Sequence, residues 1–390
     1  MSTAAAHARW ALLGGNFAIG CAVMSAAGVL NDIVRSLQVS VALAGQLIGA
    51  GAVVMAIASP LLAGLLSGAD RRRLLVLALL WTATGQALCA LMPDFTALLA
   101  VRCLTLLGAA AFTPQAASAI AALAPAASRG EAITFILLGW SVASVLGLPA
   151  SAWIGEVLGW RWAFAAVALL ALGAALAVAR ALPAGIRPAP MSMADWHGIA
   201  RQPVLVAVVL VTAFSSAGQF VLFSYFTPYF AQQLGWGANR IGALFLWFGA
   251  LGVVGNVVLT HAIGRSGAAR AVTVSLAGIA LSLLAWPAAA GLGSAMLVIA
   301  PWALGCFASN SAQQARLALA APPLATALIS LNSSAMYAGQ FAGAGIGGAI
   351  IAAAGFGPLH AAGLASLLAA IGLSLWAGRR MRTAGVSAPP

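Results

Sequence analysis

Charge is what this sequence has least of. Only 6% of its 390 residues are charged, there is no lysine, and the acids number six: Asp32, Asp70, Asp94, Glu131, Glu156 and Asp195. A soluble domain carries about 25% charged residues. So few charges cannot solvate a surface, so most of the exterior is expected to face lipid. Cysteine is scarce too: Cys21, Cys89, Cys103 and Cys306 all lie in apolar segments, none at metal-ligand spacing. They read as small buried residues, and no metal and no cofactor is expected. Histidines are scattered, and no glycine loop opens a soluble helix to cradle a phosphate. No catalytic constellation remains, and the chain does not read as an enzyme.

What is present is hydrocarbon: 63% of residues are hydrophobic. The net charge of +12 comes from arginines placed in short clusters between apolar runs, not along one face. That placement excludes a nucleic-acid partner and follows the positive-inside pattern of membrane proteins. A span needs about twenty apolar residues. Twelve such runs are read, six from Trp10–Leu30 to Trp162–Leu182 and six from Val204–Tyr229 to Leu359–Ala377. Between the sets lies Pro183 to Gln202, with Pro183, Pro188, Pro190, Asp195 and His197, the one long polar stretch. The predicted organisation is an N-terminal bundle over 1–182, a cytoplasmic linker over 183–202 and a C-terminal bundle over 203–390 with a short tail. The run after Met1–Arg9 lacks a cleavage site and reads as the first span rather than a signal peptide.

With the N-terminus placed in the cytoplasm, fourteen of the eighteen arginines fall on the inner side, including Arg71–Arg73, Arg129 and Arg379, Arg380 and Arg382. Both termini are therefore expected to be cytoplasmic. A shift of 197 residues brings Gly45 onto Gly242, Arg73 onto Arg270, Gly108 onto Gly305 and Pro125 onto Pro322. One offset across four landmarks marks a duplication. Small residues recur every fourth position in the fifth span (Gly139, Ala143, Gly147, Ser151, Gly155) and at Gly339, Gly343 and Gly347 in the eleventh. Such faces let helices approach closely, for tight packing or for sliding. The expected fold is an all-α membrane protein of twelve transmembrane helices in two pseudo-symmetric six-helix bundles.

Several stretches carry a family resemblance. Pro60 to Arg73, with Gly64 and Asp70, resembles the signature loop of the major facilitator superfamily. Arg102 and Gly108 followed by Phe112-Thr-Pro-Gln115 resemble the fourth-helix motif of its proton-coupled exporters. Gly147-Leu-Pro149 resembles the antiporter motif, and Gly159-Trp-Arg-Trp-Ala-Phe164 the turn after it. Gln313-Gln-Ala-Arg316 and Leu331-Asn-Ser-Ser334 are similar to patterns of the arabinose-efflux-permease-like branch. The resemblance covers essentially the whole chain. The signature loop departs from the family: Gly64 stands six residues before Asp70, where four is usual. The resemblance implies a multi-pass protein of the bacterial inner membrane and a monomer.

Arg102 lies within a span, where a charge costs at least about 2.5 kcal/mol and should face protein or water. It is a candidate for coupling protons to a substrate, or a cap on backbone carbonyls. Asp32 and Glu156, at helix ends, are the candidate proton carriers, since no acid is mid-span. The resemblance implies that Gly64, Asp70 and Arg71–Arg73 form a cytoplasmic gating loop, which Arg129 and Glu131 could complete. It also implies a cavity lined by the first, fourth, seventh and tenth helices, where Asn16, Thr113, Gln115, Ser215, Ser216, Gln219, Phe223, Asn310, Gln313 and Gln314 lie. Uncharged amides in a span are costly unless paired or hydrated. The function expected is proton-coupled efflux of a small neutral or amphipathic compound. A facilitator, an anion/proton symporter or a non-transporting membrane sensor of the same fold stand as alternatives.

Overall fold

The computed structural model describes residues 3–187 and 192–383; Pro188 and Pro190 of the linker lie outside the described residues. Among the described residues the chain is helical throughout, with no strand. Eleven helices are long and apolar enough to cross a membrane. They are α1 (Ala6–Gly28), α2 (Gln46–Leu65), α3 (Arg71–Leu91), α4 (Phe95–Leu123), α5 (Ala126–Leu158), α6 (Trp160–Ala181), α7 (Pro203–Leu234), α8 (Asn239–Ser266), α10 (Leu292–Ala320), α11 (Pro322–Ala354) and α12 (Leu359–Met381). The twelfth, α9 (Ala268–Leu284), has 17 residues and is about 26 Å long. Large apolar side chains such as Leu65, Leu169 and Leu297 stand exposed, as lipid-facing residues do.

The duplication read from the sequence is visible in the packing. In the first half α3 packs on α4 and α6, α2 on α4, and α1 on α5 and α6. In the second half α9 packs on α10 and α12, α8 on α10, and α7 on α11 and α12. The offset of 197 holds at single contacts. Gly108 lies against the carbonyl of Ala78, and Gly305 against that of Ser275. Gly85 lies against Thr105, while the Trp302 N–H donates to Ser282 Oγ. Even the starts of helices correspond: Asp94 caps α4 through the Ala97 N–H, and the equivalent Gly291 precedes α10.

Contacts group the chain into two compact units. One is Met1–Ser192 with Pro323–Ser334; the other is Met193–Pro322 with Ala335–Pro390. The second unit thus takes in the short helix Met193–Ala200 that precedes α7.

Three helices are broken where the sequence suggested plain runs. In α5 a π-helical stretch, Ala143–Gly147, precedes Pro149, which has no N–H to continue the ladder. The first helix stops at Gly28 and resumes as Leu30–Leu37. Its counterpart α7 is interrupted at Ser224 and Tyr225 before Phe226–Leu234, at the equivalent place. Prolines inside helices leave a carbonyl four residues earlier without a donor. For Pro60 that carbonyl is Ala56, which accepts from Ser334 Oγ at 2.5 Å within the first unit.

The small-residue stripes fit the first helix of each half. A Cβ on Gly139 would come within 3.0 Å of the α1 backbone at Leu13 and Phe17, and one on Gly147 would meet Cys21 Sγ. On α11, Gly339, Gly343 and Gly347 lie against the α7 carbonyls of Ala213, Ala217 and Val221 in the same way. Pro149 is exposed.

Candidate functional site

Hydrocarbon cannot hydrate a polar side chain, so each polar group in a span must find a partner in the protein. In the first half most do. Asn16 is fully buried; its Nδ2 donates to the Leu12 carbonyl at 3.2 Å, and its Oδ1 accepts from Thr113 Oγ1 at 2.9 Å. Thr113 in turn accepts from Trp140 Nε1 at 3.2 Å. A closed chain of bonds thus joins α1, α4 and α5. Trp140 was not among the residues singled out from sequence, because an indole in an apolar run looks like packing.

Gln115, two residues on, behaves differently. It is 1% exposed, and neither its amide nitrogen nor its carbonyl oxygen has a hydrogen-bond partner among the described residues.

Arg102 is also 1% exposed. Its Nη1 and Nη2 donate to the carbonyls of Ala22 and Val23, both at 2.6 Å, and its guanidinium lies 6.0 Å from the Phe164 ring. Gln86 Nε2 and Ser25 Oγ reach the same Ala22 carbonyl, at 3.0 and 3.1 Å. Arg102 makes no ion pair among the described residues. It is a buried cation held on backbone oxygens of α1, about two turns before that helix breaks. Gln86 carried a signal that the sequence reading passed over: an amide in the middle of a span.

The same corner of the second half is filled differently. By the 197 offset, Val29, Cys89 and Thr105 become Phe226, Trp286 and Trp302, and Arg102 becomes Ile299. There Phe226 stacks on Trp286 at 5.3 Å and meets Trp302 edge-on at 5.3 Å. Phe223 joins the cluster, 5.0 Å from Phe226 and 5.3 Å from Phe248. Gln219 Oε1 accepts from Trp302 Nε1 at 2.9 Å, and its Nε2 donates to the Ser215 carbonyl at 3.2 Å. Ser215 Oγ donates to the Thr212 carbonyl at 3.1 Å, and Ser216 is buried against Gly339. On α10, Asn310 is half-buried, Gln313 and Gln314 are buried, Gln313 Nε2 bonds the Val208 carbonyl, and both Oε1 atoms lack donors.

The candidate proton carriers sit at an end of the first half. Asp32 pairs with Arg35 at 2.5 Å, and its other oxygen faces Gly155 on α5. Glu156 is exposed.

The loop between α2 and α3 is tied within the first unit. Asp70 caps α3 by accepting from the Arg73 N–H at 3.0 Å, and its second oxygen accepts from the Gly185 N–H at 2.6 Å. The Arg71 N–H donates to the Ile186 carbonyl at 3.0 Å. Arg71 turns inward and is fully buried, its Nη1 on the Leu66 carbonyl at 3.2 Å, while Ser67 Oγ bonds the Gly64 carbonyl at 2.8 Å. Arg72 is half-buried and Arg73 exposed. The Arg73 N–H, with the Gly185 N–H and the charges of Arg187 and Arg73, holds the Asp70 carboxyl below its ordinary 3.8. Glu131 pairs instead with Arg9 at 3.0 Å, and Arg9 lies 3.8 Å over the Phe135 ring. Arg129 is half-buried at the start of the same helix. A third buried cation, quoted from the sequence only as the end of a motif, is Arg316, which bonds Ser374 Oγ and O at 3.0 and 3.1 Å.

This architecture has close relations. The family model described as Major Facilitator Superfamily matches residues 12–344. The chain is 32% identical over 359 residues to the chloramphenicol resistance protein of Streptomyces lividans, covering 89% of this chain and 90% of that one. It is 30% identical over 349 residues to the inner membrane transport protein YdhP of Escherichia coli (strain K12), covering 88% of each. The crystal structure of the human organic anion transporter MFSD10 matches with a TM-score of 0.84 at 16% identity, over 96% of this chain and 100% of that one. At that identity the likeness is one of fold.

Proposed function

The chain belongs to the major facilitator superfamily and is a multi-pass membrane transporter; on that premise we propose that it exports a small uncharged compound in exchange for protons. The two halves would alternate access to a site near the membrane midplane. The observation that carries this reading is the set of buried, uncharged amides with unmet hydrogen-bonding capacity: Gln115 on α4, and Gln313 and Gln314 on α10. An unmet amide in a membrane interior is expensive to keep, and a polar solute in transit would repay it. The likeness to a chloramphenicol resistance protein favours the outward direction. Asp32 and Glu156 would be the proton carriers, and Arg102 would couple them to the substrate. Protein in a bacterial inner membrane with cytoplasmic termini, acting as a monomer, completes the proposal.

The test is reconstitution in liposomes holding a pH-sensitive dye, with a panel of drugs, nucleosides and sugars. A compound-specific pH change that Arg102→Ala abolishes supports proton exchange. Uptake without any pH change would replace it with facilitated diffusion, the reading favoured by the lack of a mid-span carboxylate among the six acids. Binding without flux would support a sensor.

A further inference from the structure

The buried amide of Gln115 can be read more closely, and the reading rests on the transport function proposed above. Its two polar atoms are unpartnered in a region where the neighbouring polar groups are not: Asn16, Thr113 and Trp140 bond one another, and Ser59 bonds Ala110. Gln86, Gln313 and Gln314 each leave their Oε1 unmet, but among the described residues Gln115 is the one buried amide with both side-chain atoms unmet. Around it α4 carries many small residues, Ala109, Ala110 and Ala111 before it and Ala116 and Ala117 after, with Phe112, Thr113 and Pro114 between. Gln115 is the one long polar side chain of that stretch.

A primary amide offers a donor and an acceptor side by side in one plane. Its complement is a group that offers an acceptor and a donor in the same spacing. A carboxamide, a carbamate, a urea or the edge of a nucleobase does so. A lone hydroxyl has one oxygen and meets only one of the two atoms in good geometry, whereas a vicinal diol can meet both but without a fixed plane. A carboxylate would leave the N–H of a neutral amide satisfied but set two acceptors against the Gln115 oxygen. A cation would have no carboxylate to receive it, since none of the six acids is mid-span.

We propose that Gln115 is a substrate-recognising residue of the first half, and that it receives an uncharged amide-like group. Between transport events the amide is left unsatisfied, which costs stability; a ligand that completes both bonds returns it. A leucine of similar bulk should therefore make the protein more stable and a poorer binder at once.

The experiment uses the full chain purified in detergent, with Gln115→Leu and, as a length-preserving second variant, Gln115→Met. Probes are uridine, whose N3–H lies beside a carbonyl on one edge, and xylose, the competing vicinal diol, which carries only hydroxyls and an ether. Melting temperature without ligand and Kd for each probe are read. Expected are an unchanged or raised melting temperature, a Kd for the amide-type probe weakened about tenfold, and no change toward xylose. A raised melting temperature with unaltered binding would mean that Gln115 holds an ordered water only, and overturns the proposal. A lowered melting temperature with unaltered binding assigns a structural role and also overturns it. Wild type that does not bind uridine overturns the amide assignment too, while counterflow of any other solute would leave the transporter reading standing.

Discussion

Ser59 Oγ on α2 donates, at 3.4 Å, to the carbonyl of Ala110, the one that Pro114 leaves without a helical donor. A serine from a neighbouring helix thus repairs a backbone defect that lipid could not. Ser59→Ala should lower stability by about 1 kcal/mol. In a Pro114→Ala background, where the N–H is restored, the same change should cost much less. Thermal melts of the four proteins form the cycle; additive losses would show that the bond contributes nothing.

The glycine stripes make a contrast inside one helix. Gly343 lies against the Ala217 carbonyl, while a Cβ on Gly345 would meet nothing within 4 Å. Gly343→Ala should destabilise by about 1–3 kcal/mol through overpacking. Gly345→Ala should be neutral or stabilise by up to about 1 kcal/mol through helix propensity. Equal effects in a denaturant melt would mean that α7 and α11 are not packed as described.

Asp70 gives a pH dependence with a definite sign. Its carboxyl is held below 3.8 in the folded protein. Its contribution is therefore complete above the unfolded value and is lost as pH falls through the lower folded one. Asp70→Ala should cost about 0.5–2 kcal/mol as a lost helix cap at neutral pH. The difference in melting temperature from wild type should shrink below pH 3.8. A difference that stays constant to pH 3 would remove the charge from the explanation.

Arg102 has no acid to lose, so its replacement by an apolar residue of similar length strands no counter-charge. Arg102→Met should leave stability within about 1 kcal/mol of wild type or above it. Proton-linked signals in liposomes should vanish. A steep fall in melting temperature with retained proton exchange would make Arg102 a brace between α1 and α4 and nothing more.

The spans were legible because hydrocarbon thickness sets one length scale, and runs of about twenty apolar residues meet it. The repeat was legible because the offset preserved glycines that sit against carbonyls, such as Gly108 and Gly305. What the sequence hid depends on neighbours distant along the chain. Three successive arginines give no sign that Arg71 alone is buried; the cap by Asp70 sets that direction. Nor does Asn16 reveal that Thr113, itself bonded by Trp140, already occupies its carbonyl oxygen. The gating loop implied by the resemblance gave no sign that Asp70 would bond the Gly185 N–H, among the residues that follow α6. The break in α1 was hidden because Gly28 and Val29 look like any other apolar pair.

Arg102 has a last consequence, which concerns electricity rather than hydrogen bonds. Its positive charge is buried on carbonyl dipoles and makes no ion pair among the described residues. A charge so placed sits in the field of an energised membrane, where crossing the full potential is worth about 2.3 kcal/mol per 100 mV. Any motion that carries α4 along the membrane normal does work against that field. The duplicate position, Ile299, does none. At this one position the two repeats, alike in their packing, therefore differ in the charge they would carry through the field.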